Sequence, residues 1–196
     1  RIDLDKAIRD DAPLVIELGC GRRKPPGRVG VDRVDLPNVD IVADIEEGLS
    51  FLPTACVDEI HCRSVLEHVG NLEGLLAEMV RVLKPQGQAH IFVPHFSNPY
   101  FYSDCTHKRS FGFYSFYYFV DPEHQPQRKV PTFYTSIRIE IISIRLVFRS
   151  PFPVRRFFKK LQGGFFNAHR SLQEFYEESC CYLFPCDGIA VVFRPA

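Results

Sequence analysis

No apolar run in the sequence approaches the eighteen or more residues that a membrane-spanning helix needs, so no span is expected. Net charge is missing too. The 24 basic and 24 acidic side chains cancel, and nothing global argues for a polyanionic partner or an acidic tail. No CxxC pair occurs, and the seven cysteines are odd in number and scattered, which argues against a disulfide framework and for a reducing, cytoplasmic setting. There is no internal repeat and no linker long enough to mark a boundary. The opening RIDLDKAIRDD is charged, with helical character and no apolar signal core, so no export signal is expected, and the start reads as processed or as lacking its first residues.

What is present fits one domain: 196 residues, 45% hydrophobic and 24% charged, at globular averages. The balanced charge hides a split, with 11 basic and 16 acidic residues over 1–100 and 13 and 8 over 101–196. Three short β-rich runs come first, Pro13–Leu18, Arg28–Val34 and Val39–Ala43, each bounded by Gly, Pro or Asp. A fourth, Val57–Cys62, precedes a helix over Leu72–Leu83 with Asn71 as its cap and Leu72, Leu75, Leu76, Met79, Val80 and Leu83 on one face. Lys84, Pro85 and Gly87 read as its stop, before a fifth strand over Gln88–Val93. This alternation predicts a parallel, Rossmann-like α/β sheet. An aromatic-rich segment at about 96–135, a long alternating run Ser136–Arg149, a basic helical insertion at about 150–170 and a last strand Gly188–Phe193 complete the single domain.

In open α/β sheets ligands bind beyond the carboxyl ends of the strands. After the first strand stands Glu17-Leu18-Gly19-Cys20-Gly21, but Lys24 occupies the place of a third glycine, and Pro25, Pro26 and Gly27 leave no room for a helix before the second strand. The helix amino end that holds a dinucleotide's pyrophosphate is therefore absent, and the ligand should lack one. Asp32, after the second strand, can accept both hydrogens of a ribose diol. Asp44 and Ile45, after the third, can take an adenine amine and lie on its ring. Because Asp32 sits at a strand end, its replacement is expected to weaken the ligand and spare the fold.

These residues resemble the class I S-adenosylmethionine-dependent methyltransferases, through ELGCG (17–21), GVD (30–32), ADI (43–45), SVLEHV (64–69) and RVLKPQGQAHIFVPH (81–95). The resemblance implies a seven-stranded, mostly parallel sheet with its last strand antiparallel and helices on both faces, and S-adenosyl-L-methionine as cofactor. It implies that Glu17, Gly19, Cys20 and Gly21 shape the methionine pocket, Asp32 holds the ribose, Asp44 and Ile45 hold the adenine, and Cys62 and Arg63 line the floor. Contacts from the missing helix do not carry over, and Lys24 is expected to meet the cofactor carboxylate instead. A closer resemblance, over 93–119, is to a VPH…DPTHxRxF segment in type 11-like bacterial methyltransferases associated with cell-surface saccharide or other small-molecule synthesis, with Cys105 standing where Pro is usual.

Methyl transfer from a sulfonium is an in-line displacement, so alignment in a dry site matters most, and an oxygen acceptor also benefits from a base. His95 follows the fifth strand, and His107 with Asp104 offers a base and its orienter. The bland reading of Asp104 to His107 is a capped turn. Tyr100 and Arg109 are expected on the acceptor, and His68 reads as structural. His95, Cys105 and His107 could bind zinc, but without a compact ligand pair no metal is expected. Asn98-Pro99-Tyr100 imitates an amino-methyltransferase signature in the wrong place, after strand five rather than four. The Phe and Tyr cluster at 111–119 reads as core, and Cys180, Cys181 and Cys186 as buried thiols.

Residues 145–170 hold seven basic side chains and no acid, with Val154, Phe157, Phe158 and Leu161 on one helical face. The ordinary reading is a surface helix packing its Phe face on the sheet. The alternative is contact with an anionic membrane or a phosphorylated substrate. The leading function is methylation of a small molecule, on an oxygen of a saccharide or related metabolite. An RNA methyltransferase, supported only by the basic stretch, and a non-catalytic cofactor-binding scaffold of the same fold are the competitors. DNA is not an expected partner.

Overall fold

The computed structural model describes residues 4–9 and 12–196. Helix α1 (Leu4–Arg9) falls in the opening segment expected to have helical character, and residues 1–3, 10 and 11 of that segment lie outside the described residues. Seven strands follow: β1 (Val15–Leu18), β2 (Val29–Asp32), β3 (Ile41–Val42), β4 (Val57–Arg63), β5 (Leu83–Pro94), β6 (Ile139–Val147) and β7 (Gly188–Pro195). They form one sheet of order β3-β2-β1-β4-β5-β7-β6, in which β7 runs antiparallel to both of its neighbours and the other pairs are parallel. This is the Rossmann-like sheet that the sequence implied.

Register puts Ile16, Ile60, Ala89 and Phe193 in one cross-strand row and Leu18, Cys62, Ile91 and Val191 in the next, all buried. Helix α2 (Leu72–Val82) buries Leu75, Leu76, Met79 and Val82 in the same core. Its cap is the expected one: the Asn71 side chain accepts from the Gly74 N–H at 2.9 Å, satisfying an orphan donor of the first turn. The opposite sheet face is polar and mostly part-exposed. Glu17 pairs with Arg28, His61 stacks on His90, and Arg63 lies over the Phe92 ring. The residues between β1 and β2 form turns rather than a helix, which leaves that face without the layer a helix there would give.

Two local expectations change. The stop after α2 is not a turn: β5 begins at Leu83, pairs with Val57, and crosses Lys84 to Gly87 through a bulge. Gly87 is required there because a Cβ would stand 2.8 Å from the Val57 carbonyl oxygen. The second change is larger. Helix α3 (Pro153–Phe166) does not pack its Phe face on the sheet: it buries Lys159 and Phe166, and turns Val154, Phe157, Phe158, Leu161 and Phe165 outward. Phe166 faces inward because it packs with Leu146 and Tyr176 in a second small core, and Lys159 follows it by donating to the Pro185 carbonyl.

The aromatic segment is core, as read. Phe111, Phe113, Phe116, Tyr117 and Phe119 are buried, and the Tyr118 ring is exposed. Cys181 and Cys186 are buried and Cys180 half-buried, and the seven cysteines are all free thiols.

Candidate functional site

A cavity of about 360 Å³ opens at the carboxyl ends of β1, β2 and β4, within the size range of small-molecule sites. Its wall is built strand end by strand end. Gly19 follows β1, Asp32 ends β2, Ala43, Asp44 and Ile45 follow β3, and Ser64 and Val65 follow β4, with His68, Thr106 and Lys108 above them. Gly19 has a φ of +64°, and a Cβ on it would stand 2.3 Å from Val65 Cγ2, so only glycine lets the loop pass this close. Ser64 takes a left-handed φ of +55° without being glycine, backbone strain that sits on the cavity wall.

Asp32 is already at work. One of its oxygens accepts from the Gly21 N–H at 2.9 Å and the other from the Val34 N–H at 3.0 Å, which ties the glycine loop to the end of β2. Asp44 caps the turn that follows it, accepting from the Glu46 N–H at 2.9 Å. Glu46 in turn accepts from Lys108 Nζ at 2.6 Å and from the Gly70 N–H at 2.8 Å, so a residue after β3 fastens the aromatic segment over the cavity. The Lys108 ammonium beside it, with those backbone donors, holds the Glu46 carboxyl down at about 2.

The other residues expected around the cofactor lie elsewhere. Glu17 is paired with Arg28, and Lys24 with Asp40, so Lys24 is committed to a carboxylate of this chain. Cys20 and Cys62 are buried, with burial pushing both thiols up, and Gly21 and Arg63 do not line the cavity. Arg33 and Lys108 are the cations on its wall.

On the acceptor side the three expected groups separate. His95 is fully buried, with Nδ1 2.7 Å from Ser97 Oγ and Nε2 2.8 Å from a carboxylate oxygen of Glu177, so both nitrogens are spent on structure and neither faces the cavity. The aromatic core and Tyr176 close around it because the chain returns from β5 to pair His95 with Phe111. His107 stays beside the cavity: its Nδ1 is 2.9 Å from the Phe101 carbonyl oxygen, which can only accept, so Nδ1–H donates and Nε2 is left as the lone-pair nitrogen. Asp104 does not orient His107, its carboxylate being 3.7 Å from Nε2. It accepts instead from Thr106 Oγ1 at 2.6 Å, and Thr106 Oγ1 stands 2.9 Å from His68 Nδ1. Since the Thr106 hydroxyl donates to Asp104, His68 donates to Thr106 and keeps its own lone pair on Nε2. Tyr100 is exposed, and Arg109 donates to the Val69 and Gly70 carbonyls, bracing the loop before α2 rather than the cavity.

Sequence reasoning undervalued His68, which lines the cavity with its ring 4.9 Å from His107. The preceding Glu67 is buried and its Oε2 has no hydrogen-bond partner, and burial pushes its carboxyl up. A carboxylate oxygen of Glu67 and one ring nitrogen each of His68 and His107 lie within 4.8 Å of one another. The signal was in SVLEHV itself, a carboxylate and an imidazole directly after a strand.

Residues 26–91, a third of the chain, match a family described as a methyltransferase domain. Over those residues the chain is similar to this family. Among solved structures it is similar in fold to a SAM-dependent methyltransferase of Archaeoglobus fulgidus, at 18% identity and a TM-score of 0.54, covering 93% of this chain and 86% of that one. It is similar also to an S-adenosylmethionine-dependent methyltransferase of Mesorhizobium loti, at 15% identity and a TM-score of 0.51, over 96% and 94%. No protein of curated function has a matching sequence. The lining of the cavity would fit S-adenosylmethionine on its own terms: two strand-end carboxylates and an isoleucine, over a glycine whose left-handed backbone and nearness to Val65 disfavour any side chain. None of the described helices is long and apolar enough to cross a membrane.

Proposed function

We propose that this chain is an S-adenosylmethionine-dependent methyltransferase that acts on a small molecule in the cytoplasm, at an oxygen of a saccharide or related metabolite. The observation that carries the reading is the relay Asp104–Thr106–His68 on the wall of the cofactor cavity, which leaves His68 Nε2 free to take a hydroxyl proton. An amine acceptor loses its proton more readily and has less need of a base. When bound, S-adenosylmethionine supplies the activated methyl group. Asp32 then serves the ribose, Asp44 and Ile45 the adenine, and His107 Nε2 shares the acceptor side with His68. Glu67, behind them, steadies the positive charge that either imidazole gains.

The cavity is small and part-enclosed by Lys108 and Thr106, which suits a small acceptor better than RNA. The exposed, basic α3 is the edge by which the enzyme meets a further partner. Purified protein with S-adenosylmethionine should methylate components of a saccharide or lipid-linked saccharide extract, detected as a mass gain of one methylene, with the new bond an O-methyl by fragmentation. Methylation confined to RNA or to amines would replace the reading.

A further inference from the structure

The outward face of α3 exposes five large apolar side chains. Val154, Phe157, Phe158, Leu161 and Phe165 fall on one side at spacings of three, four and seven residues, and are between 56% and 73% exposed. A soluble surface helix would turn this stripe inward. Here the inward side is taken by Lys159, Gly163 and Phe166: Lys159 donates to the Pro185 carbonyl, and Gly163 abuts Phe148 closely enough that a Cβ there would touch its ring. Helix α3 is therefore fixed to the body by the side opposite its aromatic stripe, and rotating it inward would break both contacts.

The surroundings of the stripe say what chemistry it meets. Phe152 just before the helix is exposed, and so are Tyr182 and Leu183 in the turn that leads to Pro185. Arg155, Arg156 and Lys160 are exposed on the same helix, Arg145 and Arg149 precede it in the chain, and no acidic residue occurs between 145 and 170. An apolar stripe that shares its helix with cations matches a surface that offers acyl chains beneath anionic headgroups. A second copy of this chain would have to set the same unbalanced cations against themselves, since an isologous contact repeats one patch on both partners.

We propose that α3, with the 182–183 turn, seats the enzyme on an anionic bilayer surface, with the Phe stripe in the headgroup–acyl boundary and the arginines and lysine on the phosphates. Helix α3 follows the carboxyl end of β6, which runs parallel to β1, β2 and β4, so it lies on the same rim of the sheet as the cofactor cavity. Seating on α3 therefore brings that rim close to the membrane. This deepens, and rests on, the small-molecule reading above: the acceptor is a saccharide or related group carried on a membrane lipid.

The test is co-sedimentation of the full chain with phosphatidylcholine vesicles, with and without phosphatidylglycerol. Binding should be at least tenfold tighter to the anionic vesicles and weaken as salt rises. A Phe157→Ser/Leu161→Ser variant should lose at least tenfold in vesicle binding, and Arg155→Gln/Arg156→Gln/Lys160→Gln should lose the preference for anionic lipid. Both replace exposed side chains, so S-adenosylhomocysteine affinity and the thermal midpoint should match the parent. Vesicle binding that is absent, or that both variants retain, overturns the proposal. So does a concentration-dependent dimer in light scattering that Phe157→Ser/Leu161→Ser abolishes, which assigns the stripe to a second copy. Full competition by inorganic phosphate would assign the cations to a soluble ligand and also overturn it. If vesicle binding stands and S-adenosylhomocysteine does not bind, it is the methyltransferase reading that has failed and not the docking.

Discussion

Replacing Asp32 with alanine should damage both the fold and the cofactor site. The strand-end position of Asp32 suggested a purely ligand-facing side chain, but its two oxygens carry the Gly21 and Val34 N–H groups at 2.9 and 3.0 Å. A hydrogen bond to a charged group contributes about 1.5–3 kcal/mol when buried, and the Val34 contact is exposed, so the pair together is worth about 2–3 kcal/mol. For a domain of this size each kcal/mol moves the thermal midpoint by roughly 2–4 °C, which gives a drop of roughly 4–12 °C. Loss of the ribose contacts should weaken S-adenosylhomocysteine about tenfold to a hundredfold on top of that. Asp32→Asn keeps one acceptor oxygen and should fall between. The assay is thermal unfolding with and without S-adenosylhomocysteine, together with calorimetric titration. An Asp32→Ala protein that melts within a degree of the parent would show that the glycine loop does not depend on this carboxylate, and unchanged affinity would move the ribose elsewhere.

Gly19→Ala should all but abolish cofactor binding, because the methyl group must displace Val65 from a left-handed backbone; calorimetry should show at least a hundredfold loss, and near-parent affinity would refute the placement of the loop. His95→Ala should cost about 3–5 kcal/mol in urea unfolding by leaving the largely covered Glu177 side chain without its imidazole, while cofactor affinity stays near that of the parent. His68→Ala should lower kcat by about 10²–10⁴ with little change in cofactor affinity, and Asp104→Asn by less, since it acts through Thr106; equal effects on KM and none on kcat would make the relay an acceptor contact only. The Glu46 carboxyl is held at about 2 when folded, against 4.5 for the free side chain, so the stability it gives is present above about pH 4.5 and is lost as pH falls through about 2. Carboxyl NMR should follow that titration, and Lys108→Ala should move the Glu46 midpoint upward.

The core and the strand order's raw material were legible in the sequence because burial imposes a period. The apolar run Gly188–Phe193 and the three-and-four spacing in Leu72–Leu83 follow from which side chains must leave water, and a strand and a helix formed there. The strand-end acids were legible because ligands bind where a parallel sheet opens, and Asp32 and Asp44 do line the cavity, though each also holds a backbone N–H of its own chain.

Contacts between distant segments were decided only by tertiary structure. Nothing local tells His95 from His68, each a histidine just past a strand. Glu177, 82 residues away, captures the first, while Thr106, 38 residues away, holds the second at the cavity. Lys24 was free to meet a ligand in one dimension and is claimed by Asp40 in three. The stripe of α3 shows the same limit from the other side. The hydrophobic period of residues 154–165 fixes that they form one face, but a period has no sign with respect to the body of the protein. Which way the face points was settled by Phe166, Gly163 and Lys159, whose partners lie on β6, the chain after it and the turn before β7.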